Sequence, residues 1–286
     1  MELRVTAVDA ALRPFGAIVA CDNVMDLINQ FADVSCDWDV PRAARYGYLH
    51  LLQYLNQQRP LTVDQLASAL QIAASRGHLC ILQWIHTHPM HLQAFSIKIM
   101  NFAAFHGHLA IVQWLHQYRG EGCSTKAMDG AACCGHLDVV QWLHQNRTEG
   151  CTVDAMDSAA INGHLAVVRY LHEHRNEGCT TRAMDVAAAN GDVAMMEFLY
   201  THRTEGCTTH AVKSTARGSR FQILSPLASL GVLKWLYARY EHLFSLAVLQ
   251  NCVRVAPPPV LAWIRDLGRV DETTFQEWLE RNERIP

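Results

Sequence analysis

The sequence predicts an all-α solenoid built from stacked helix-turn-helix repeats. In this chain of 286 residues a glycine recurs at steps of 30, 30, 28, 28 and 28 residues, an aromatic side chain follows each glycine seven positions later, and Ser or Thr opens several of the segments. The glycines are Gly47, Gly77, Gly107, Gly135, Gly163 and Gly191. Self-similarity at a fixed period is the signature of a repeat architecture, in which each unit buries its apolar faces against its neighbours.

The first helix of a repeat is represented by the segment 152–163. Thr152 can cap free backbone N–H groups, and Gly163 suits the left-handed conformation that ends many helices. Ser124, Thr180 and Thr208 hold the same cap position. Small residues such as Ala159 and Ala160 lie on one face, where they allow a neighbouring helix to approach closely.

The second helix is represented by the segment 165–171, in which Leu165, Val168 and Leu171 form one apolar stripe. The turn at 146–151 then reverses the chain. Two further aromatic residues, Trp235 and Trp263, continue the register 28 residues apart and predict degenerate repeats whose anchors are Ala228 and Ala256. The pattern therefore predicts about eight units.

The repeat resembles the ankyrin repeat. Ala159-Ala160-x-x-Gly163-His164-Leu165 matches the Ala-Ala-x-x-Gly-His-Leu part of that family's signature, and 154–157 occupy its Thr-Pro-Leu-His places. The resemblance covers roughly residues 39–265. Ankyrin units are about 33 residues long, so these shorter units resemble a short-period variant. The resemblance implies an ankyrin-type solenoid whose β-hairpin fingers are shortened or absent, and a protein-binding role.

Both ends of the chain are predicted to be helical caps, which cover the stacking faces of terminal repeats. We expect an N-terminal cap at 1–38, about eight repeats at 39–268 and a capping helix at 269–286, all in one continuous elongated domain. The N-terminal cap would use Val24, Leu27, Ile28 and Phe31 as its apolar stripe. In the C-terminal cap, Asp271 would begin a helix with Phe275, Trp278 and Leu279 on one face.

Composition limits the classes of function. No stretch reaches the 18 or more apolar residues of a membrane helix, and the net charge of −3 argues against a generic nucleic-acid surface. The N-terminus lacks the pattern of a secretory leader, so we expect an intracellular, cytoplasmic protein. Capped ends favour a monomer.

The sequence contains 16 His and 10 Cys residues, which suggest a metal or redox protein at first sight. Repetition explains much of the surplus. The main rows are His78, His108, His136 and His164; His86, His116, His144 and His172; and Cys123, Cys151, Cys179 and Cys207. Equivalent residues of adjacent repeats lie about 8 to 10 Å apart, too far for one row to enclose a zinc ion. We expect hydrogen-bonded histidines at helix ends and buried cysteines under the turns. The alternative is a metal-binding or catalytic protein that uses the His and Cys rows, and an incidental site that mixes rows, for example His106 with Cys133 or Cys134, is also left open.

Charged residues also recur with the period. Asp129, Asp157 and Asp185 are expected to complement the dipole of their own helices. The turns contain an Arg row (Arg119, Arg147, Arg175, Arg203) and a Glu row (Glu121, Glu149, Glu177, Glu205), which we expect to pair along the stack. No nucleotide-binding or nucleophile motif is present, so we predict no enzyme activity and no cofactor.

Function is expected where the repeat varies. The variable first-helix positions are Lys126, Asp154, Arg182 and His210, and Phe105, Cys133, Ile161 and Ala189. In the ankyrin-type solenoid they would border the concave face and bind a protein or peptide, although unconstrained surface is the plain alternative. A spacer of nine extra residues near 217–226 contributes Arg217, Arg220 and Phe221, either as further contacts or as a neutral insertion. A nucleic acid bound by Arg217 and Arg220 is the weaker alternative.

Overall fold

The computed structural model describes residues 39–217 and 225–283. Within these ranges the chain forms 17 α-helices and two short 3-10 helices, and no strand. The predicted all-α class is therefore confirmed. The described residues fall into two compact units, which we describe separately.

The first unit comprises residues up to Ala131 together with Asp138–Gly150. Its helices are α1 Val40–Tyr46, α2 Leu49–Gln58, α3 Val63–Arg76, α4 Leu79–His86, α5 Ile97–Phe105, α6 Leu109–Tyr118, most of α7 Thr125–Cys133 and most of α8 Leu137–Asn146, with a 3-10 helix at Pro89–Ala94. The first helices pack side by side, α1 against α3 and α3 against α5. Paired alanines such as Ala73 and Ala74 are fully buried there, so these helices approach each other closely.

The second unit comprises Ala132–Leu137 and the described residues from Cys151 onward. Its helices are α9 Val153–Ile161, α10 Leu165–His174, α11 Thr181–Asn190, α12 Val193–His202, α13 Thr209–Arg217, α14 Pro226–Arg239, α15 Leu246–Val253, α16 Pro258–Asp266 and α17 Glu272–Glu283, with a 3-10 helix at Glu241–Leu243. The first helices α9, α11, α13 and α15 pack in sequence. Ala159 and Ala187 are fully buried at these contacts.

The residues that cap the helices and form the turns follow the predicted pattern. Thr152 and Thr180 cap α9 and α11 through their side-chain oxygens. The anchor glycines all adopt left-handed backbone conformations, with φ of +77° at Gly163 and +78° at Gly135. A second glycine of the same conformation lies in each regular inter-repeat turn, at Gly122, Gly150, Gly178 and Gly206. These turns contain no strand, so the described repeats lack β-hairpin fingers.

Several predictions concern residues that lie outside the described ranges or near their ends. The proposed N-terminal cap at 1–38 and the spacer residues Arg220 and Phe221 lie outside them. Arg217 is the last residue of α13, not part of an insertion, and Ala228 lies in the first turn of α14, not at a repeat anchor. That anchor was wrong because α14 begins at Pro226, capped by Ser225.

The last helix shows the predicted start. Asp271 accepts a hydrogen bond from the Thr274 N–H at 2.8 Å, and Phe275 is fully buried. The division of the chain into caps, repeats and one continuous domain stays a prediction.

Candidate partner-binding surface

The first helices of the second unit are positioned by a buried aspartate relay. The Asp157 carboxylate accepts from the Thr180 N–H at 2.7 Å and from the Thr180 hydroxyl at 2.6 Å. The Thr180 oxygen in turn accepts from the Arg182 N–H at 3.2 Å, so the aspartate of one repeat fixes the cap of the next helix. Asp185 and Thr208 repeat this geometry. The predicted role for Asp157 and Asp185, complementing their own helix dipoles, was wrong, because both side chains point across to the following repeat.

We expect Asp157→Ala to lower the free energy of unfolding by about 1 to 3 kcal/mol, because the Thr180 N–H would lose its acceptor in a partly buried site. The natural pair Asn101–Ser124 joins the equivalent positions without a charge: the Ser124 N–H donates to Asn101 at 3.1 Å, and the Asn101 amide donates to the Ser124 hydroxyl at 2.9 Å. A double variant, Asp157→Asn with Thr180→Ser, should therefore lose less stability than the alanine variant. Urea denaturation measures both, and equal losses would contradict the relay.

Histidines of the first row join adjacent repeats at their glycine turns. The His78 Nε2 lies 3.0 Å from the Arg45 carbonyl oxygen, and the His108 Nε2 lies 3.0 Å from the Ser75 carbonyl oxygen. Because a carbonyl can only accept, Nε2 carries the donated hydrogen in both cases. The predicted structural hydrogen bonds are therefore confirmed for His78 and His108.

The second histidine row packs against the aromatic register. The imidazole of His86 meets the Trp114 ring edge-on at 5.3 Å between centroids, and His116 meets Trp142 in the same way at 5.2 Å. The Arg147 guanidinium also approaches the His116 Nδ1 at 3.3 Å. An arginine can only donate, so this nitrogen of His116 is an acceptor. His86 and His116 of the second row are thus each held by the following repeat.

The charged rows of the turns pair within each turn. Arg147 binds Glu149 through two guanidinium nitrogens, and Arg119, Arg175 and Arg203 bind Glu121, Glu177 and Glu205 equivalently. Glu149 also accepts from the Cys123 N–H of the preceding turn at 3.3 Å. The prediction that the ion pairs run along the stack was wrong, because an Arg and a Glu two residues apart in a tight turn already meet. The hydrogen bond from the Cys123 N–H to Glu149 instead links one turn to the next.

The pairing of Glu149 predicts a pH dependence. The hydrogen bond from Arg147 lowers the pKa of Glu149 from 4.5 to about 2. Because the folded-state pKa is depressed, the pair stabilises the fold fully above about pH 4.5, and this contribution is lost as the pH falls toward 2. We expect Glu149→Gln to cost about 1 kcal/mol near neutral pH and almost nothing near pH 2, measured by thermal unfolding. Glu173→Gln is the control, because Glu173 is an exposed residue of α10. A cost that did not change with pH would contradict this assignment.

Two members of the cysteine row, Cys151 and Cys179, are buried under the turns, whereas Cys123 and Cys207 are partly exposed. Cys151 and Cys179 are each 8% exposed, and burial raises the pKa of Cys179 to about 11. Burial likewise raises the pKa of Cys252 to about 11. Within the described residues no group of three or more His, Cys, Asp or Glu side chains is arranged to hold a metal ion. The arrangement favours structural thiols over reactive ones.

We expect iodoacetamide at mildly alkaline pH to modify exposed Cys80 at least about 10-fold faster than Cys179 in the folded protein, because only the thiolate reacts. Mass spectrometry of quenched samples measures the difference, and unfolding in urea should remove it. Equal rates in the folded protein would contradict the burial of Cys179.

The variable positions of the first helices differ in exposure. Lys126 in the first unit is exposed, as are Asp154, Arg182, His210 and Arg217 in the second. Cys133, Ile161 and Ala189 are only partly exposed. The carbonyls of Cys133 and Ile161 accept hydrogen bonds from Asn162 at 2.9 Å and Asn190 at 3.0 Å, so these two residues also join repeats. Their role in partner binding stays a prediction.

In the first unit the first helices line an open pocket of about 430 Å³, which we call the α5 pocket. It is lined by Gln71, Lys98, Asn101, Phe102, Phe105, His106 and Lys126. Sequence reasoning found Phe105 and Lys126 but missed Lys98 and Phe102. Two signals in the sequence pointed to them. Lys98 occupies the repeat position of Lys126, and Phe102 occupies a position that holds Gly130 and Ser158 in later repeats.

The comparisons with known proteins agree with this geometry. A family model for ankyrin repeats in three copies matches residues 70–157, and a second model, for ankyrin repeats in many copies, matches residues 156–199. Residues 70–199 therefore consist of ankyrin repeats, here in a short-period form. No curated protein matches the chain. Ankyrin repeats are generally protein–protein interaction modules and typically lack enzyme activity. None of the described helices is long and apolar enough to cross a membrane.

Proposed function

We propose that this chain is a non-enzymatic scaffold or adaptor that binds a protein or peptide through the exposed side chains of its first helices. The observation that carries the proposal is the contrast between neighbouring positions of one helix. In α11, Ala183 and Ala187 are fully buried and match Ala155 and Ala159 of α9, whereas exposed Arg182 stands where α9 has Asp154. Packing between adjacent helices explains why the buried alanines repeat. The exposed positions are not constrained by this packing, so their side chains are available to contact a partner.

The test is partner capture followed by charge reversal in each unit separately. Lys126→Glu probes the first unit and Arg182→Glu the second, and an alanine set at Arg217, Arg220 and Phe221 probes the end of α13 and the spacer that follows it. Lys234→Glu and Arg59→Glu are matched controls, because both residues are exposed cations of second helices, Lys234 within α14 and Arg59 directly after α2. We expect capture to fall at least about 10-fold in one of the test variants and to persist in the controls.

The opposite pattern would reject the proposed surface. If every partner survives all the test variants, or is lost equally in the controls, the first helices do not form the binding site. One or more stoichiometric metal ions in protein purified without a histidine tag would instead favour the metal-binding alternative.

A further inference from the structure

The α5 pocket combines two exposed aromatic rings with two cations. Phe102 is 38% exposed and Phe105 is 41% exposed, although both belong to a helix that buries Ile99, Met100 and Ala103. Large apolar side chains exposed beside a cavity are typical of binding sites, since an aromatic ring gains most from covering by a partner.

A glycine in the neighbouring helix makes room for one of these rings. Gly130 is buried in the interior of α7, where glycine is less favourable than alanine. A Cβ atom at this position would lie 3.0 Å from the Phe105 Cδ2 and 3.3 Å from the Phe105 Cβ. The glycine therefore lets Phe105 lie against α7, while 41% of this residue stays exposed beside the pocket.

The charged residues that line the pocket are both lysines. Lys98 and Lys126 line it, and neither forms an ion pair within the described part of the chain. No described lining residue is a carboxylate. Asn101 is one reason for the absence of a carboxylate, because it occupies the repeat position that holds Asp129, Asp157 and Asp185 later in the chain. The pocket is therefore complementary to an apolar group flanked by negative charge.

We propose that the α5 pocket binds an acidic peptide segment, with a bulky apolar side chain inserted against Phe102 and Phe105 and with flanking carboxylates beside Lys98 and Lys126. The inference rests on the proposed function and names the chemistry of the partner at this site. A nucleic acid would also favour cations and aromatic rings, but the chain has a net charge of −3 and two lysines make a small cationic surface. The observations therefore favour a peptide.

The experiment selects short random peptides displayed on phage against the full chain at low salt. We expect enriched peptides to contain an aromatic or large aliphatic residue with Asp or Glu on both sides. Fluorescence polarisation of the enriched peptides should then show at least about a 10-fold loss of affinity for Phe105→Ala and for the double variant Lys98→Glu with Lys126→Glu. Lys234→Glu and Leu246→Ala, both exposed and outside the pocket, are the matched controls and should bind normally.

A third variant separates binding from folding. Gly130→Ala adds a better helix-forming residue, so the stability of α7 should be maintained, while its Cβ displaces the Phe105 ring by a few tenths of an ångström. We expect weaker peptide binding with no loss of melting temperature. Retained affinity in this variant and in Phe105→Ala would overturn the proposal.

Other outcomes also decide the question. No enrichment, enrichment of neutral or basic peptides, or displacement of the selected peptides by a single-stranded oligonucleotide that binds the pocket more tightly would each contradict the inference. Partner capture that depends on Arg182 but not on the pocket would overturn this inference and leave the proposed function intact. Selected acidic peptides that bind the pocket, together with partner capture that ignores every first-helix variant, would support the pocket and reject the proposed function.

Discussion

Leu171→Ala is expected to lower the free energy of unfolding by about 2 to 5 kcal/mol, because the side chain is 1% exposed and its loss leaves a cavity in the packed second helix α10. Leu171 belongs to the stripe that recurs in every regular repeat, with Leu115 and Leu143 at equivalent positions of the first unit. Each of these leucines is at most 3% exposed.

Urea denaturation monitored by circular dichroism measures this effect. Leu227→Ala is the matched control, because Leu227 is 72% exposed in the first turn of α14 and should change stability by less than about 0.5 kcal/mol. Equal effects of the two substitutions would show that α10 does not pack as described.

Gly135→Ala is expected to cost about 2 to 4 kcal/mol, from two sources. The backbone at Gly135 has φ of +78°, which an L-residue with a Cβ adopts at a cost. A Cβ atom would also lie 2.6 Å from the His164 Nδ1, so the imidazole of the next repeat would have to move.

A double-mutant cycle with His164→Ala separates these sources. The double variant should keep the backbone cost of about 1 to 2 kcal/mol and lose the steric cost, giving a favourable coupling between the two sites. Gly231→Ala is the control for a glycine in a helix with open space around it, and it should stabilise the protein slightly. Additive effects of Gly135→Ala and His164→Ala would contradict the contact between histidine and glycine.

These contacts show how much of the fold the repeat pattern predicts. The period located the anchor glycines and the Thr caps correctly. A left-handed backbone favours Gly and a helix N-cap favours Ser or Thr, so both features depend only on residues at the helix end and can be read from the sequence. The Asp157 relay was not predicted, since its two partners are 23 residues apart and meet only when adjacent repeats are stacked. The Arg–Glu pairs were recognised as ion pairs but were assigned to neighbouring repeats, whereas each Arg pairs with the Glu two residues later in its own turn.

The candidate site was predictable in part. Exposed Lys126 and Arg182 follow from comparison of equivalent positions, which is a property of the sequence. The α5 pocket depends on the space that Gly130 leaves for Phe105, and a glycine in the interior of a helix signals such a contact without saying which side chain fills it.

The central claim is that partners contact the first helices. Photo-crosslinking from the full chain tests it most directly. A photoreactive amino acid is placed in turn at Lys126 in α7, at Arg182 in α11 and, as second-helix controls, at Gln145 in α8 and Glu173 in α10, all of them exposed positions. We expect a captured partner to crosslink from Lys126 or Arg182 and not from the two controls. Crosslinks from Gln145 or Glu173 alone would contradict it.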